Sequence, residues 1–340
     1  MNPLRVALIG CGIISEAHIN AYKQHADRAR ITVCCDVDEQ KAAQRAALVG
    51  DARAVTSFEQ VLADDEIDAV EICTPHFLHT DLVVAAARAG KHILCQKPLA
   101  NTLAECDTMI AATKAAGVTF FYGEMNHTLP ATIAARKLVE QGRIGRLVGV
   151  QATYAHWQGG TYLSTAWRYN PSVAGGGHLL DGGIHYITIM REVGGPIDAV
   201  TCFTTNFRQE LGGEDTAVVN MRFAGGHLGT LLSSHAVGMW FSEANFVALG
   251  TEGFLTIGGR HGALVLHRRD LPNGHEVVLA ERGDPFADMI GRYLDTVVDG
   301  APNISPGEVG REDLKIVLAA YKSAETGREV RLDEVERNAA

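Results

Sequence analysis

The stretch VALIGCGIISEAH, residues 6–18, predicts the fold of the first part of the chain. It places Gly10 and Gly12 directly after a short apolar run and before a segment with helical spacing. Glycines at such a junction allow a tight turn and let the backbone approach a pyrophosphate at the positive end of the helix. The third small residue of the pattern is Ser15, which still lets the helix pack closely on the strand. We therefore expect a dinucleotide site here, with Ile13 and Ile14 also in contact with the cofactor.

Asp36 indicates which dinucleotide is bound. It stands 24 positions after Gly12, at the end of the second apolar run. A carboxylate in that place binds the adenosine ribose hydroxyls and repels a ribose phosphate, and Val37 offers no charge to hold one. NAD is therefore the expected cofactor and NADP the less favoured one. The alternative is that Asp36 merely caps the next helix.

Residues 1–122 alternate short apolar runs with longer alanine-rich segments. The runs are short enough for buried strands, and the segments between them end in glycine as helices often do. Alternation of this kind predicts a parallel, doubly wound α/β sheet of Rossmann type. The five runs are RVALIG, ITVCCD, DAVEICT, KHILCQ and VTFFYG.

Residues 123–340 follow a different pattern, which predicts an α+β domain for substrate binding and oligomerisation. A helical segment is followed by strands joined by glycine-rich turns, which favours a large, mostly antiparallel sheet. The strand runs are RLVGVQATYAHW, DAVTCFTTNF, DTAVVNMRF, GHLGTLLSSHAV and NFVALGTEGFLTI. Two helical segments, PFADMIGRYLDTVVDG and SPGEVGREDLKIVLAAYKSAETG, close the chain.

Composition limits the classes of partner. Of the 340 residues, 30 are basic and 40 acidic, and the net charge of −10 disfavours nucleic acid and anionic membranes. No apolar run approaches the roughly 20 residues that span a bilayer, and the amino terminus becomes polar too soon for a secretory signal. The seven cysteines show no CxxC spacing and are expected to be buried free thiols. A cytoplasmic protein is expected.

The stretch GGGHLLDGGIHYI, residues 175–187, holds three polar side chains at spacings of three and four. A helix would bring His178, Asp181 and His185 to one face. A metal site built from them is disfavoured, because the first and last are seven apart and no fourth ligand is evident. Gly182 and Gly183 each cost a helix roughly 1 kcal/mol relative to alanine, so something packs against the backbone there. A nicotinamide and an underlying sheet both satisfy that requirement.

Aromatic and polar side chains crowd the sixteen positions 154–169. Sugar-binding pockets use aromatic faces against C–H surfaces and polar tips for hydroxyls, so the cluster suits a polyol, although at least half of it is expected to pack the domain. Trp167 and Arg168, just before the glycine run, are the expected substrate contacts, with His178 as a structural or substrate-contacting residue. The cluster comprises Tyr154, His156, Trp157, Tyr162, Trp167, Arg168 and Tyr169.

Three separated stretches resemble the Gfo/Idh/MocA family of nicotinamide-dependent sugar and cyclitol dehydrogenases. CTPHFLHTDLVVAAARAGKHILCQKPLA, residues 73–100, looks like the family's run from a Thr-Pro turn to its Glu-Lys-Pro signature. WRYNPSVAGGGHLLDGGIHYI, residues 167–187, is similar to its second signature, and YKSAETGREVRL, residues 321–332, to its usual ending. The resemblance covers nearly the whole chain.

The resemblance implies roles for individual residues. Thr74 and His79 would lie along the cofactor, Lys97 would face substrate and nicotinamide, and Asp181 and His185 would complete the reactive centre. Imidazole titrates near working pH, which suits His185 as the acceptor of the substrate's hydroxyl proton. Asp181 would orient the imidazole or bind a substrate hydroxyl, and Lys97 would stabilise the oxygen that loses its proton.

This chain departs from the family pattern at several positions. Gln96 stands where a glutamate normally precedes the lysine, beside the nicotinamide ribose, and so lacks a charge there. His76 replaces a common asparagine, Thr188 stands at a position that is often acidic, and His127 replaces an arginine near the domain junction, where it is assigned to the substrate. These departures leave the reaction class unchanged.

The residues and the resemblance together favour hydride transfer between NAD and a secondary hydroxyl or ketone of a sugar, glycoside or cyclitol. Two other functions remain open: an NAD-using glycoside hydrolase with transient oxidation, and a non-catalytic ligand sensor on the same fold. The apolar run GHLGTLLSSHAVGM, residues 226–239, predicts a homodimer or homotetramer formed through the C-terminal sheet.

Overall fold

The computed structural model describes residues 3–157, 159, 165–208, 212–239, 245–258, 262–280 and 283–336. The chain divides into two compact units. The first contains the residues up to Thr128 together with Asp284–Arg311, and the second contains Leu129–Gly283 and the residues from Glu312 onward.

The first unit holds a six-stranded sheet, as far as the described residues show. Its strands are β1 (Leu4–Ile9), β2 (Ala29–Cys35), β3 (Arg53–Val55), β4 (Ala69–Ile72), β5 (His92–Gln96) and β6 (Phe120–Gly123). They lie in the order β3-β2-β1-β4-β5-β6, and every neighbouring pair is parallel. The strand order reverses beside β1, which is where an open α/β sheet forms its binding crevice. The predicted Rossmann-type sheet is confirmed.

Helices connect these strands. They are α1 (Ser15–Gln24), α2 (Glu39–Val49), α3 (Phe58–Leu62), α4 (His79–Arg88), α5 (Leu103–Ala116) and α6 (Met125–Thr128), with a 3₁₀ turn at His76–Leu78. Local chemistry sets the helix ends: Thr102 and Glu105 form a reciprocal capping box at the start of α5, and Gly117 ends it with φ 67°. No helix in the described part of the chain is both long enough and apolar enough to cross a membrane.

The second unit is built on a nine-stranded, mostly antiparallel sheet, counted over its described residues. Its strands are β7 (Leu147–Ala155), β8 (Ile197–Thr205), β9 (Thr216–Phe223), β10 (Leu228–Ser234), β11 (Phe246–Gly250), β12 (Gly253–Gly258), β13 (Ala263–Arg268), β14 (His275–Leu279) and β15 (Val330–Arg331). The order is β14-β13-β12-β11-β7-β10-β9-β8-β15, and β7 pairs with β10 in parallel. The predicted α+β character of this part is confirmed.

The helices after residue 128 include a short π-helical segment. They are α7 (Pro130–Glu140), α8 (Pro171–Ala174), α9 (Ile184–Gly194), α10 (Pro285–Val297), α11 (Gly307–Thr326) and α12 (Leu332–Glu336). The π-helical segment, Leu179–Gly183, runs directly into α9, and 3₁₀ turns lie at Ala166–Tyr169 and Pro272–Gly274.

The first unit recruits α10 from a distant part of the sequence. Ile290 and Tyr293 of α10 belong to the same buried cluster as Ile19 and Tyr22 of α1. The ring of Tyr293 also lies edge-on to Phe121 of β6, with centroids 5.6 Å apart. Burial of the apolar face of α10 explains why residues 284–311 belong to the first unit. A single boundary after residue 122 would place these residues in the second domain. The division into domains at residues 122 and 123 stays a prediction.

Candidate active site

The two glycines of the loop after β1 have different surroundings: Gly10 is tightly packed and Gly12 has open space beside it. Gly10 adopts φ 90°, and a Cβ there would lie 2.9 Å from backbone atoms of Cys73 and Thr74. The loops after β1 and β4 therefore touch through their backbones. A Cβ on Gly12 would meet nothing within 4 Å, so the space beside this Cα is free to receive a ligand.

The start of α1 supplies donors for an anion. The N-cap residue Ile14 makes no side-chain capping hydrogen bond, and the side chains of Ile13 and Ile14 are exposed. Backbone N–H groups at such a helix start suit a pyrophosphate. Ser15 is fully buried, as expected for the small residue of the pattern, and its hydroxyl donates to the carbonyl of Gly12 at 2.6 Å.

Asp36 ties the end of β2 to the glycine loop. Its carboxylate accepts hydrogen bonds from the backbone N–H of Cys11 at 2.8 Å and of Asp38 at 2.9 Å. The side chain that caps α2 belongs to Asp38, which accepts from the backbone N–H groups of Gln40 and Lys41. The alternative role of Asp36 as the cap of that helix is therefore wrong, and its carboxylate lies at the loop where a ribose is expected.

His79 connects the loop that follows β4 to the segment that follows β5. It is fully buried, and its two ring nitrogens lie 3.0 Å from the carbonyl oxygen of Thr74 and 3.1 Å from that of Leu99. Burial lowers the pKa of His79 to about 4, so the ring is neutral and donates to one of the two carbonyls. Its predicted place along the cofactor stays a prediction.

Gln96 and Lys97 lie at the carboxyl end of β5. Gln96 is the last residue of the strand, is buried, and has its amide nitrogen 2.7 Å from Nε2 of His18. Lys97 is half-buried and is followed by a cis peptide bond to Pro98. Gln96 ends a parallel strand and Lys97 follows it, so both lie at the carboxyl edge of the sheet, where ligands bind in such folds.

His127 belongs to the first unit, on α6. It is buried, and its Nε2 lies 2.5 Å from the carbonyl oxygen of Ile304. The imidazole thus binds the segment that follows α10. The predicted contact of His127 with substrate stays a prediction.

The stretch 175–187 of the second unit, called the signature stretch below, contains a π-helical segment, which is wound more widely than an ordinary α-helix. The π-helical segment Leu179–Gly183 precedes α9, and such segments often lie at functional sites. The rings of His178 and His185 both approach Tyr154 of β7, with centroids 5.5 Å and 6.3 Å apart. The predicted common face for the two histidines therefore looks onto the sheet.

The two adjacent glycines allow this close approach. A Cβ on Gly182 would lie 2.2 Å from the ring of His178 and 2.8 Å from that of Tyr154. A Cβ on Gly183 would lie 2.9 Å from the hydroxyl oxygen of Ser233 on β10. The neighbours that leave room only for glycine are thus side chains of the sheet and the ring of His178.

A second group of histidines extends this site. The ring of His235, just after β10, lies over that of His178 with centroids 3.3 Å apart, and 4.7 Å from that of His156. All three imidazoles are buried. His156 is within the predicted aromatic cluster, whereas His235 was missed because it ends a run that reads as a strand.

Asp181 forms an ion pair within the same site. Its carboxylate accepts a hydrogen bond from Nε of Arg168 at 3.2 Å, and the guanidinium lies 4.3 Å from the ring centroid of Trp167. Burial lowers the pKa of Arg168 to about 10. Asp181 was expected to orient the imidazole of His185 or to bind a substrate hydroxyl, and both roles stay predictions. Of the predicted cluster, Tyr162 lies outside the described residues, as does the side chain of Tyr169.

Glu214 and Tyr321 hold the start of the signature stretch. Glu214 accepts backbone hydrogen bonds from Gly177 at 3.0 Å and Leu179 at 2.8 Å, and from the hydroxyl of Tyr321 at 2.9 Å. The same hydroxyl accepts from the backbone of Leu180 at 3.2 Å. Neither residue was predicted, because each lies far along the sequence from the helix that it caps.

Glu214→Gln is expected to flatten the pH dependence of stability. Burial raises the pKa of the Glu214 carboxyl above its ordinary value, so the folded state binds this proton more tightly than the unfolded state does. Its contribution to the free energy of unfolding is greatest below the unfolded pKa and is lost as the pH rises through the folded pKa. Thermal unfolding from about pH 4 to about pH 7 should therefore show a steeper loss in the wild type. Equal slopes would contradict this, and the exposed Glu325→Gln serves as the control.

The fold and the first unit define a dinucleotide-binding protein of the doubly wound class. Residues 4–124 match the family model described as an oxidoreductase family with an NAD-binding Rossmann fold, and residues 132–256 match the GFO/IDH/MocA C-terminal domain. The chain belongs to the GFO/IDH/MocA family, as its sequence signatures indicate, and is an NAD-dependent oxidoreductase.

Curated relatives and solved structures cover most of the chain. A levoglucosan dehydrogenase of Pseudarthrobacter phenanthrenivorans is 30% identical over 79% of this chain and 75% of its own. A 1,5-anhydro-D-fructose reductase of Ensifer adhaerens is 28% identical over 97% of this chain and 98% of its own. The structure of a levoglucosan dehydrogenase with NADH and levoglucosan superposes with a TM-score of 0.88, at 25% identity, over 97% of this chain and all of that one.

The residues present fit NAD. The strand-to-helix turn leaves open space at Gly12, the first turn of α1 has no side-chain cap, and the Asp36 carboxylate lies against the loop. Exposed Val37 adds no positive charge beside Asp36 for a ribose phosphate. Together these features explain how the first unit selects NAD.

Proposed function

We propose that this enzyme transfers hydride between NAD and a secondary hydroxyl or ketone of a sugar, glycoside or cyclitol. The observation that carries the proposal is the placement of His185 and His178 against Tyr154, beside a guanidinium stacked on an indole. Such a group of rings and polar tips suits a polyol. The names of the relatives, a levoglucosan dehydrogenase and an anhydrofructose reductase, support the same substrate class.

Three residues are proposed to act on the reacting carbinol. Bound NAD supplies the hydride acceptor. His185 accepts the hydroxyl proton during oxidation and returns it during reduction. The ammonium of Lys97 hydrogen-bonds the reacting oxygen and stabilises the negative charge that develops there. Asp181, which holds Arg168 at 3.2 Å, orients the substrate or the imidazole.

The remaining substrate contacts are proposed for Trp167, Arg168, His178 and His127. Trp167 offers an aromatic face, and Arg168, held against it, offers donors to hydroxyl oxygens. His178, stacked on His235, and His127 are the other proposed contacts. Polar groups beside aromatic faces suit a polyol more than a long acyl chain.

A substrate panel tests the proposal. Purified protein is mixed with NAD or NADP and with free sugars, glycosides and inositols, and reduced nicotinamide is followed by absorbance. NAD reduction with at least one polyol is expected. Release of an aglycone from a glycoside without net NADH would favour the hydrolase, and polyol binding without turnover would favour the sensor.

Asp36→Ser is expected to shift cofactor preference towards NADP. The variant loses the carboxylate that accepts from Cys11 and that is proposed to bind the ribose hydroxyls, so NAD affinity should fall by about tenfold or more while NADP affinity rises. The ratio of the two dissociation constants measures this. Asp38→Ser is the matched control, because serine also caps α2 and the ratio should not change. An unchanged ratio in Asp36→Ser would contradict the assignment.

We further propose that the chain forms a homodimer or homotetramer through the sheet of the second unit. Five apolar side chains are exposed on strands β8, β10, β11 and β12 of this sheet: Phe203, Leu228, Leu232, Leu249 and Phe254. The registers place Leu249 opposite Phe254, and Val218 between Phe203 and Leu232. Such an apolar face favours a second copy. Light scattering checks this, and a monomer would contradict it.

A cytoplasmic location is proposed as well. All seven cysteines are free and buried. Reduced thiols suit a compartment in which disulfides do not persist. Fractionation of the source cells tests this location.

A further inference from the structure

A buried carboxylate lies inside the sheet of the first unit and is not explained by the roles assigned so far. Glu71 of β4 is 0% exposed. It pairs with Leu8 of β1 on one side and with Leu94 of β5 on the other. A charge buried among apolar strands must be paired and hydrogen-bonded, since an isolated one costs several kcal/mol.

Two side chains of α1 contact this carboxylate. His18 places Nδ1 at 2.7 Å from Oε1 of Glu71, and Tyr22 donates its hydroxyl to Oε2 at 2.8 Å. His18 and Tyr22 are four residues apart and so share one face of the helix that begins at the glycine loop. Burial and the charge of Glu71 raise the pKa of Tyr22 well above its ordinary value, which keeps the hydroxyl a donor.

The contacts continue from His18 to the carboxyl end of β5. Nε2 of His18 lies 2.7 Å from the amide nitrogen of Gln96. An amide nitrogen can only donate, so Nε2 of His18 is the acceptor and the hydrogen of the neutral imidazole is on Nδ1, beside Glu71. The amide is therefore held in one orientation, and its oxygen remains as the acceptor at the end of β5.

A carboxylate at position 96, the usual residue of the family, has no hydrogen to donate to His18. Glu71 lies on the same face of the sheet as Gln96, because Leu94 is opposite Glu71 and Gln96 is two residues further along β5. The imidazole of His18 joins the two positions. It also fits the reverse arrangement, with a carboxylate at position 96 and an amide at position 71, because its hydrogen can move to the other ring nitrogen.

We propose that Glu71, His18 and Tyr22 form a positioning relay that orients Gln96 towards the nicotinamide ribose. The relay rests on the proposed NAD site. Glu71, His18 and Tyr22 are positioning residues, because each acts through Gln96.

A metal ion is the competing occupant of this cluster. Ligand atoms of His18, Glu71 and Cys73 lie within 4.8 Å of one another, the one such group among the described residues. Nδ1 of His18 and Oε1 of Glu71 are 2.7 Å apart. Two ligands about 2.0–2.1 Å from a tetrahedral zinc ion lie about 3.3 Å apart. His18 and Glu71 are therefore closer together than two ligands of a zinc ion.

A double-mutant cycle tests the relay through NADH affinity, measured by fluorescence titration with the full chain. Gln96→Glu places two carboxylates on one imidazole, and Glu71→Gln removes the charge that fixes its tautomer, so each should weaken NADH binding about tenfold near pH 8. The double variant Gln96→Glu with Glu71→Gln exchanges the carboxylate and the amide between the two positions, so that one charge and one amide again contact His18. Its affinity should return to within about threefold of the wild type.

Two further variants guard against simple loss of folding. Tyr22→Phe removes one hydrogen bond and keeps the shape, and should weaken NADH binding about threefold, with some loss of stability because an oxygen of the buried Glu71 carboxylate loses its donor. Tyr293→Phe removes another buried hydroxyl of the same core and should leave NADH affinity unchanged. Equal effects of Tyr22→Phe and Tyr293→Phe would contradict the relay.

The outcomes separate the relay from the proposed function. NADH binding by the wild type, with the effects of the two single variants adding in the double variant, overturns the relay alone. Stoichiometric metal in the purified protein also overturns it. Coupled NADH affinities without turnover of any polyol support the relay and overturn the proposed function, and a wild type that binds no NADH overturns both.

Discussion

Replacing His185 by alanine is expected to lower kcat by about two to four orders of magnitude, the usual contribution of a general base. The imidazole is buried beside Tyr154 and follows a π-helical segment that is held by Glu214. The loss affects the proton of the substrate hydroxyl and not the NAD site. The dissociation constant of NADH should therefore stay within about twofold of the wild type.

The exposed His275→Ala is the matched control and should keep full activity, because it changes a histidine of β14 in the same unit. Added imidazole should recover part of the activity of His185→Ala. A variant that retains more than about a tenth of the wild-type kcat would contradict the assignment of His185 as the proton acceptor.

Gly10→Ala and Gly12→Ala are expected to fail in different ways. The methyl group added at position 10 would lie 2.9 Å from backbone atoms of Cys73 and Thr74, at φ 90°, so folding should lose about 3–5 kcal/mol. The methyl group added at position 12 would enter open space. Gly12→Ala should therefore unfold like the wild type but bind NADH at least about tenfold more weakly, because its methyl group would occupy the space proposed for the pyrophosphate.

Thermal unfolding and NADH titration of both variants check this pair. Because position 10 requires glycine for steric reasons, Gly10→Ala should lower the unfolding midpoint by many degrees or prevent soluble expression. A stable Gly10→Ala variant would show that the loops after β1 and β4 are further apart than described. Normal NADH affinity in Gly12→Ala would place the pyrophosphate elsewhere.

The parallel sheet was predictable because its strands are continuous apolar runs. RVALIG, ITVCCD and KHILCQ correspond to β1, β2 and β5. The strand β3 was missed, since it has three residues at the edge of the sheet and is mostly exposed. The run NFVALGTEGFLTI contains a hairpin, β11 and β12, because residues 251 and 252 turn the chain between them.

The site was predictable where its residues are adjacent in sequence and not where distant residues support it. Gly10, Asp36 and His185 follow from local patterns. Glu214 caps a segment more than thirty residues earlier, and Glu71 lies in a run that simply reads as a strand. Contacts of this kind depend on how helices and strands pack, for which a local pattern carries no signal.

The central claim is that hydride passes between NAD and a carbinol, and transfer of deuterium tests it most directly. The best polyol from the panel is prepared with deuterium at the oxidised carbon and turned over with NAD, and the reduced cofactor is analysed by mass spectrometry. We predict one deuterium in each NADH formed and one ketone product for each NADH. Product formation without labelled NADH would contradict the claim.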